Sequence, residues 1–200
     1  MPTNEDVLRI RDLDARAVRL SADLVGGLHP DQLGLPTPCA GWNLTELLAH
    51  MTVQHHGFAT AARGQASAVE QWRPVAGQDP AGDYLRACAV VIEAFAEPAA
   101  LTTDFILPEI TRQSAFPAHQ AMSFHLVDYV VHGWDVAATL GVDYLLDEEL
   151  AAAALAVAEL VPDGPARLGP GAAFAPALPA AGSSLSRTLA LLGRDVAWRA

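Results

Sequence analysis

The chain has 200 residues, 52% of them hydrophobic, and a formal net charge of −11 from 12 basic and 23 acidic side chains. That length suffices for one domain with a sizeable core, and the alanine-rich balance favours helices over strands. A chain this acidic repels nucleic acid and anionic membranes; no uncharged apolar run approaches the ~18 residues of a membrane span, the two cysteines suggest no disulfide framework, and the polar N-terminus is not a signal peptide, so a soluble cytoplasmic protein, monomer or homodimer, is expected.

A first helix is predicted from about Glu5 to Val25, where Val7, Ile10, Leu13, Ala17, Leu20 and Leu24 recur at three- and four-residue spacing before Gly26-Gly27. A loop from Pro30 to Trp42 leads to Asn43-Leu44-Thr45-Glu46, a capping box that opens a second helix to about Arg63. Leu44, Leu47, Leu48, Met51 and Phe58 form its expected buried side; His50 lies at the edge of that side, and His55 and His56 read as surface or rim residues.

Asp79-Pro80 opens a third helix with a stripe of Leu85, Cys88, Ile92 and Phe95, and Pro98 ends it. Phe105-Ile106-Leu107 reads as a strand or an extended loop. Pro117 starts a fourth helix running to about Leu140, with Gly141 as its stop. Asp147 caps a fifth, Glu148 to about Val161; Pro162 to Ser183 is a Pro/Gly/Ala-rich extended segment, and Ser184 to Leu192 a last short helix. The expected fold is all-α: a four-helix bundle over residues 1–161, with the extended segment and short helix of residues 162–200 packed on the same domain.

The chemistry concentrates in the fourth helix. Asp128 and His132 are four residues apart, which sets both side chains on one helical face about 40° apart. A carboxylate beside an imidazole supplies two ligands of a divalent metal. Metal sites in bundles draw on facing helices, and the second helix offers His50. His125 falls within roughly 60° of the same line and reads as a fourth ligand, as a partner behind one, or as a histidine that merely lies near the pocket. Asp135 lies about 20° beyond Asp128, where it would orient a ligand or belong to a surface charge pattern. Arg112, in the loop ahead of the helix, would meet an anionic substrate if that loop closes over the site. Cys39 reads as a small buried side chain rather than a nucleophile, and Gly133 as a place of close approach or a chance placement.

Two motifs resemble the DinB-like superfamily, in the branch that contains mycothiol-dependent maleylpyruvate isomerase: Thr37-Pro38-Cys39-Ala40-Gly41-Trp42-Asn43 with Leu47-Leu48-Ala49-His50, and Asp128-Tyr129-Val130-Val131-His132-Gly133-Trp134-Asp135. The tail around Leu192-Gly193-Arg194-Asp195 is similar to that of short metal-binding members. The resemblance implies a DinB-like bundle with His50, Asp128 and His132 as metal ligands. The isomerase pattern has a glutamate where this chain has Asp128, and the isomerase carries a further C-terminal α/β domain that this chain lacks room for.

Three protein ligands leave coordination positions open for water or substrate. Zinc suits two imidazoles and a carboxylate; nickel, iron and manganese fit as well. The resemblance implies a mycothiol-like thiol as co-substrate, in isomerisation or S-transfer on a small electrophile. A water-activating hydrolase or lyase is one alternative, with His125 or Asp135 as base. A non-catalytic metal- or ligand-binding protein, its site closed by His125, is another.

Overall fold

Side-chain caps set where the helices begin. The structure, a computed structural model, describes residues 3–169 and 172–200; Met1 and Pro2 of the polar N-terminus, and Pro170 and Gly171 of the Pro/Gly/Ala-rich segment, lie outside the described residues. Helix α1 spans Asn4–Gly26, with Thr3 and Asp6 forming a reciprocal capping box. Helix α2 spans Leu44–Ala62; the Asn43 side chain accepts from the Glu46 amide at 3.0 Å, and the Glu46 carboxylate accepts from the Asn43 amide at 2.9 Å. Helix α3 spans Pro80–Ala96 behind its Asp79 cap. Helix α4 spans Ala118–Leu140 and stops at Gly141, whose left-handed φ of 66° lets two carbonyls of the last turn be capped. Helix α5 is Glu148–Ala158, capped by Asp147, and α6 is Ser184–Leu191, capped by Ser183.

Helix α1 packs on α3 and α4, and α2 packs on the same two, so the four long helices close into a ring. Helix α5 lies on α4 and α6 on α5. The expected all-α bundle is therefore found, with one addition: β1 (Asp104–Phe105) pairs antiparallel with β2 (Phe116–Pro117). None of the described helices is long and apolar enough to cross a membrane. The segment after α5 makes one turn at Pro165–Leu168 and is pinned from within. The guanidinium of Arg167, itself buried, donates to the carbonyls of Val161, Pro162, Ala175 and Leu191.

Two expectations need correction. The buried stripe of α3 is Tyr84, Cys88, Val91 and Phe95, while Leu85 is 37% exposed and Ile92 half-buried. The helix is turned so that the Tyr84 hydroxyl meets the Ser21 hydroxyl of α1 at 2.6 Å. His55 is not a rim residue but fully buried, whereas His56 is exposed.

His55 belongs to a chain of polar groups that takes one residue from each long helix. Asp14 of α1 meets His125 of α4 at 2.6 Å (Oδ1 to Nδ1), His125 meets His55 of α2 at 3.0 Å (Nε2 to Nδ1), and His55 Nε2 lies 3.4 Å from the Cys88 thiol of α3. The His55 ring stacks on Tyr129 with centroids 3.9 Å apart. Buried polar groups are tolerated only when paired, so this chain specifies how the four helices face each other.

Burial, then the neighbouring His125 and His56, holds the pKa of His55 well below its ordinary 6.5. The unfolded chain binds that proton as pH falls through about 6.5 and the native core does not, so the contribution of His55 to stability is lost on acidification. Asp14 acts in the opposite sense: burial raises its pKa against the pull of His125, and its contribution is lost as pH rises through that raised value. The His55 part is therefore read as a difference. His55→Phe keeps the stacking but leaves His125 short of a partner; it should cost about 1–3 kcal/mol at pH 7.5 by chemical denaturation. Its stability should decline less than that of the wild type between pH 6.5 and about 5; parallel curves would contradict this account.

Candidate metal centre

Helices α2 and α4 bring together the three residues singled out in the sequence. Ligand atoms of His50, Asp128 and His132 all lie within 4.8 Å of one another. The His50 and His132 rings meet edge to face with centroids 5.2 Å apart, and Trp42, just ahead of α2, lies against His50 at 4.9 Å. His132 Nε2 is 3.4 Å from an Asp128 oxygen. Asp128 keeps a quarter of its side chain exposed, so the cluster reaches solvent on that side.

The other face of the His132 ring is closed. Its Nδ1 lies 2.9 Å from Oδ2 of Asp135, which is fully buried. Arg194, from the tail beyond α6, donates to both oxygens of Asp135, Nε to Oδ1 at 3.0 Å and Nη2 to Oδ2 at 3.0 Å. Cys39 completes the group: its Sγ is 3.1 Å from Asp135 Oδ2, 3.0 Å from Arg194 Nη2 and 3.8 Å from His132 Nδ1.

The electrostatics follow from these contacts. Burial, then the charge of His132, lowers the pKa of His50 to about 4, so its imidazole is neutral at pH 7. Burial also works against charge on His132, but Asp128 and the bond to Asp135 outweigh it and raise that pKa well above 6.5. Asp135 is likewise opposed by burial, yet Arg194 and His132 bring it down to about 2. Asp128 and Asp135 together bring two negative charges, and Arg194 answers one of them. The cluster therefore calls for one more positive charge beside Asp128. A proton on His132 supplies it; so would a divalent cation, for which two imidazoles and a carboxylate are a suitable donor set.

Other candidates lie elsewhere. Both ring nitrogens of His125 are taken, by Asp14 and His55, so it has no lone pair for a fourth ligation and belongs to the core chain. Asp135 stands behind His132, its Oδ2 against Nδ1. Arg112 is exposed on the β1–β2 loop; the guanidinium at the cluster is Arg194. Gly133 is a point of close approach, its α-hydrogen face covered by the Tyr144 ring where a Cβ would collide with the hydroxyl.

Sequence reasoning missed two partnerships. Arg194 was legible as part of a tail motif, but nothing local ties it to Asp135, 59 residues earlier. Gln54, buried one turn beyond His50 on α2, donates to Glu109 on the β1–β2 loop. Burial raises the Glu109 pKa, and the charge of Asp128 adds to the effect.

The fold and the cluster together define a DinB-like helical bundle with a potential metal site between its second and fourth helices. The family model described as mycothiol maleylpyruvate isomerase N-terminal domain matches residues 15–137, and the chain belongs to that family. Uncharacterised proteins from two strains of Mycobacterium tuberculosis are 34% identical to it over 160 residues, covering 80% of this chain and 82% of theirs. The crystal structure of the mycothiol-dependent maleylpyruvate isomerase superposes with a TM-score of 0.58 at 13% identity, over 79% of this chain and 70% of that one. A histidine-to-alanine mutant of that isomerase gives a TM-score of 0.59 at 12% identity. At such identities the shared feature is the fold.

The two thiols sit in different surroundings, which gives a direct check of the packing. Cys88 is buried in the core, and burial pushes its pKa up to about 12; Cys39 is half-buried beside the cluster. A thiol reagent at pH 8 should modify Cys39 in the native protein and reach Cys88 only in denaturant. Mass spectrometry after timed alkylation reads this out, and equal labelling rates would contradict the placement of Cys88.

Proposed function

We propose that this protein is a divalent-metal-dependent enzyme that uses a low-molecular-weight thiol, mycothiol-like in character, for isomerisation or S-transfer on a small electrophile. The observation that carries the reading is the convergence of His50, Asp128 and His132 from two helices, in a family defined by a domain of a mycothiol-dependent enzyme. Zinc is the favoured cation. His50, Asp128 and His132 would hold the cation, whose chemistry when bound would be to lower the pKa of a coordinated thiol.

The protein's own residues divide the remaining work. His50, neutral at pH 7, offers a lone pair without first losing a proton. Asp128 supplies the negative charge on the solvent side, where substrate would enter. Asp135 accepts from His132 Nδ1 and so leaves Nε2 to face Asp128 and His50. Trp42 packs on the His50 ring and limits its rotation.

One observation favours a second reading, a water-activating hydrolase or lyase. Glu109, with its pKa raised and its carboxylate held by Gln54, is a carboxyl suited to proton transfer on the loop between β1 and β2. That activity would need no thiol.

Metal analysis of zinc-loaded samples tests the common part. Wild type should retain about one equivalent, the stoichiometry of a single three-ligand site. His50→Ala and His132→Ala should each bind more than roughly 100-fold more weakly, beyond the loss seen when only a ligand's supporting partner is removed. A thiol-consumption screen against a panel of electrophiles then separates the readings. Turnover that requires thiol supports the first, and turnover without thiol that fails in Glu109→Gln supports the second. Wild type with no bound metal under replete conditions would end both.

A further inference from the structure

We infer that Arg194 is a positioning residue for the metal site, so that the tail beyond α6 completes a centre whose ligands all lie within the family-matched region. The inference rests on the metal reading above and deepens it. Residues 15–137 match the family domain, and they include His50, Asp128, His132 and Asp135. Arg194 comes from outside that stretch.

The local chain is built to send this side chain inward. Helix α6 is followed by Gly193 at φ 78°, a left-handed turn that L side chains rarely adopt. A Cβ there would also stand 2.6 Å from the Cβ of Ala175. The Arg194 amide returns to the Leu189 carbonyl at 2.8 Å, which closes the helix end. The side chain is then 8% exposed and lies against a carboxylate that is fully buried.

In the guanidinium, Nη1 donates to the Leu192 carbonyl at 3.3 Å and holds the tail itself, whereas the contacts of Nε and Nη2 bear on the centre. Its fork engages both Asp135 oxygens, which fixes the plane of that carboxylate as a single contact would not. With the plane fixed, Oδ2 accepts from His132 Nδ1, and the ring presents Nε2 towards Asp128 and His50. Arg194 Nη2 also meets Cys39 Sγ, in the loop that runs into the Asn43 cap of α2. One guanidinium thus ties the tail to α4 and to the entry of α2, the two elements that carry the ligands. A structural latch alone would have no need to grip the one carboxylate that orients a ligand.

The test titrates the full-length protein with Co(II) and with Zn(II) against a chromophoric chelator. Arg194→Met should weaken both cations roughly 10- to 100-fold and shift the visible Co(II) bands, because the His132 ring is no longer held at one angle. Arg194→Lys keeps the buried charge without the fork and should fall between Met and wild type. Asp135→Asn should cause a similar loss, and adding Arg194→Met to it should cost little more, since both act through one imidazole. If Arg194→Met folds with wild-type affinity and an unchanged Co(II) spectrum, whatever its melting temperature, the positioning role is overturned. If Arg194→Met does not fold, Arg194→Lys decides: altered affinity and spectrum support the role, and wild-type values overturn it. Wild type that takes up neither cation would remove the metal reading and this inference together, whereas tight wild-type binding with indifferent variants would remove only this one.

Discussion

Two carboxylates, Asp14 and Asp135, are taken out of water completely, and the arrangement of the molecule follows from the groups that come to meet them. An unpaired buried charge costs several kcal/mol, on the order of the whole stability of a domain this size, so each must find donors before the core can close. Asp14 is met by His125, which leans on His55 and through it on Cys88. Asp135 is met by His132 and Arg194. One set of contacts fixes the ring of four helices; the other fixes the tail and the entry to α2. Both run through α4, which explains why this helix is buried around most of its circumference while carrying six ionisable side chains.

The division of α4 into two polar systems was only half legible in the sequence. Spacing set Asp128 and His132 on one face, a facing helix offered His50, the family resemblance implied the three as a set, and the structure brings their ligand atoms together. Helix starts were legible for the same reason: Asn43 with Glu46, Asp79 with Pro80, and Asp147 are local signals that act over one turn. His125 stayed open because its angular position fits two directions, towards the ligands or towards α1. What decides is Asp14, more than a hundred residues earlier. A sign of it was present, since Asp14 interrupts the apolar stripe of α1 between Leu13 and Ala17, a place where a charge needs a buried partner. His55 and Arg194 were obscure for a similar reason. Their environments are made by segments distant in sequence, and helical periodicity carries no information about such contacts.

The isomerase pattern that the two motifs resemble has a glutamate where this chain has Asp128, one methylene shorter, and a shorter side chain reaches less far towards α2. The fold answers this by geometry rather than by side-chain length. Asp128 sits one turn before His132 on the same face, and His50 comes up edge-on to His132 with Trp42 behind it. The three groups remain within 4.8 Å, so the shorter side chain is compatible with a shared ion. The cost of the arrangement is electrostatic. With Asp128 and Asp135 flanking one imidazole and a single arginine to answer them, the cluster is one positive charge short whenever His132 is neutral.

That shortfall bears on what the tail contributes. Without Arg194, the full charge of Asp135 would bear on the His132 imidazole from one side while the Asp128 oxygen stands 3.4 Å from Nε2 on the other. By neutralising Asp135 from behind, the guanidinium turns that residue into a hydrogen-bond acceptor rather than a rival charge, and the unmet negative charge is confined to the solvent side at Asp128. Positive charge arriving from solution, whether a metal ion or the proton it replaces, then has one place to go. The same guanidinium meets the half-buried thiol of Cys39, itself 3.8 Å from His132 Nδ1. In a chain this acidic, with few basic side chains, the one arginine buried at this point answers Asp135 and leaves Asp128 as the carboxylate of the cluster that reaches solvent.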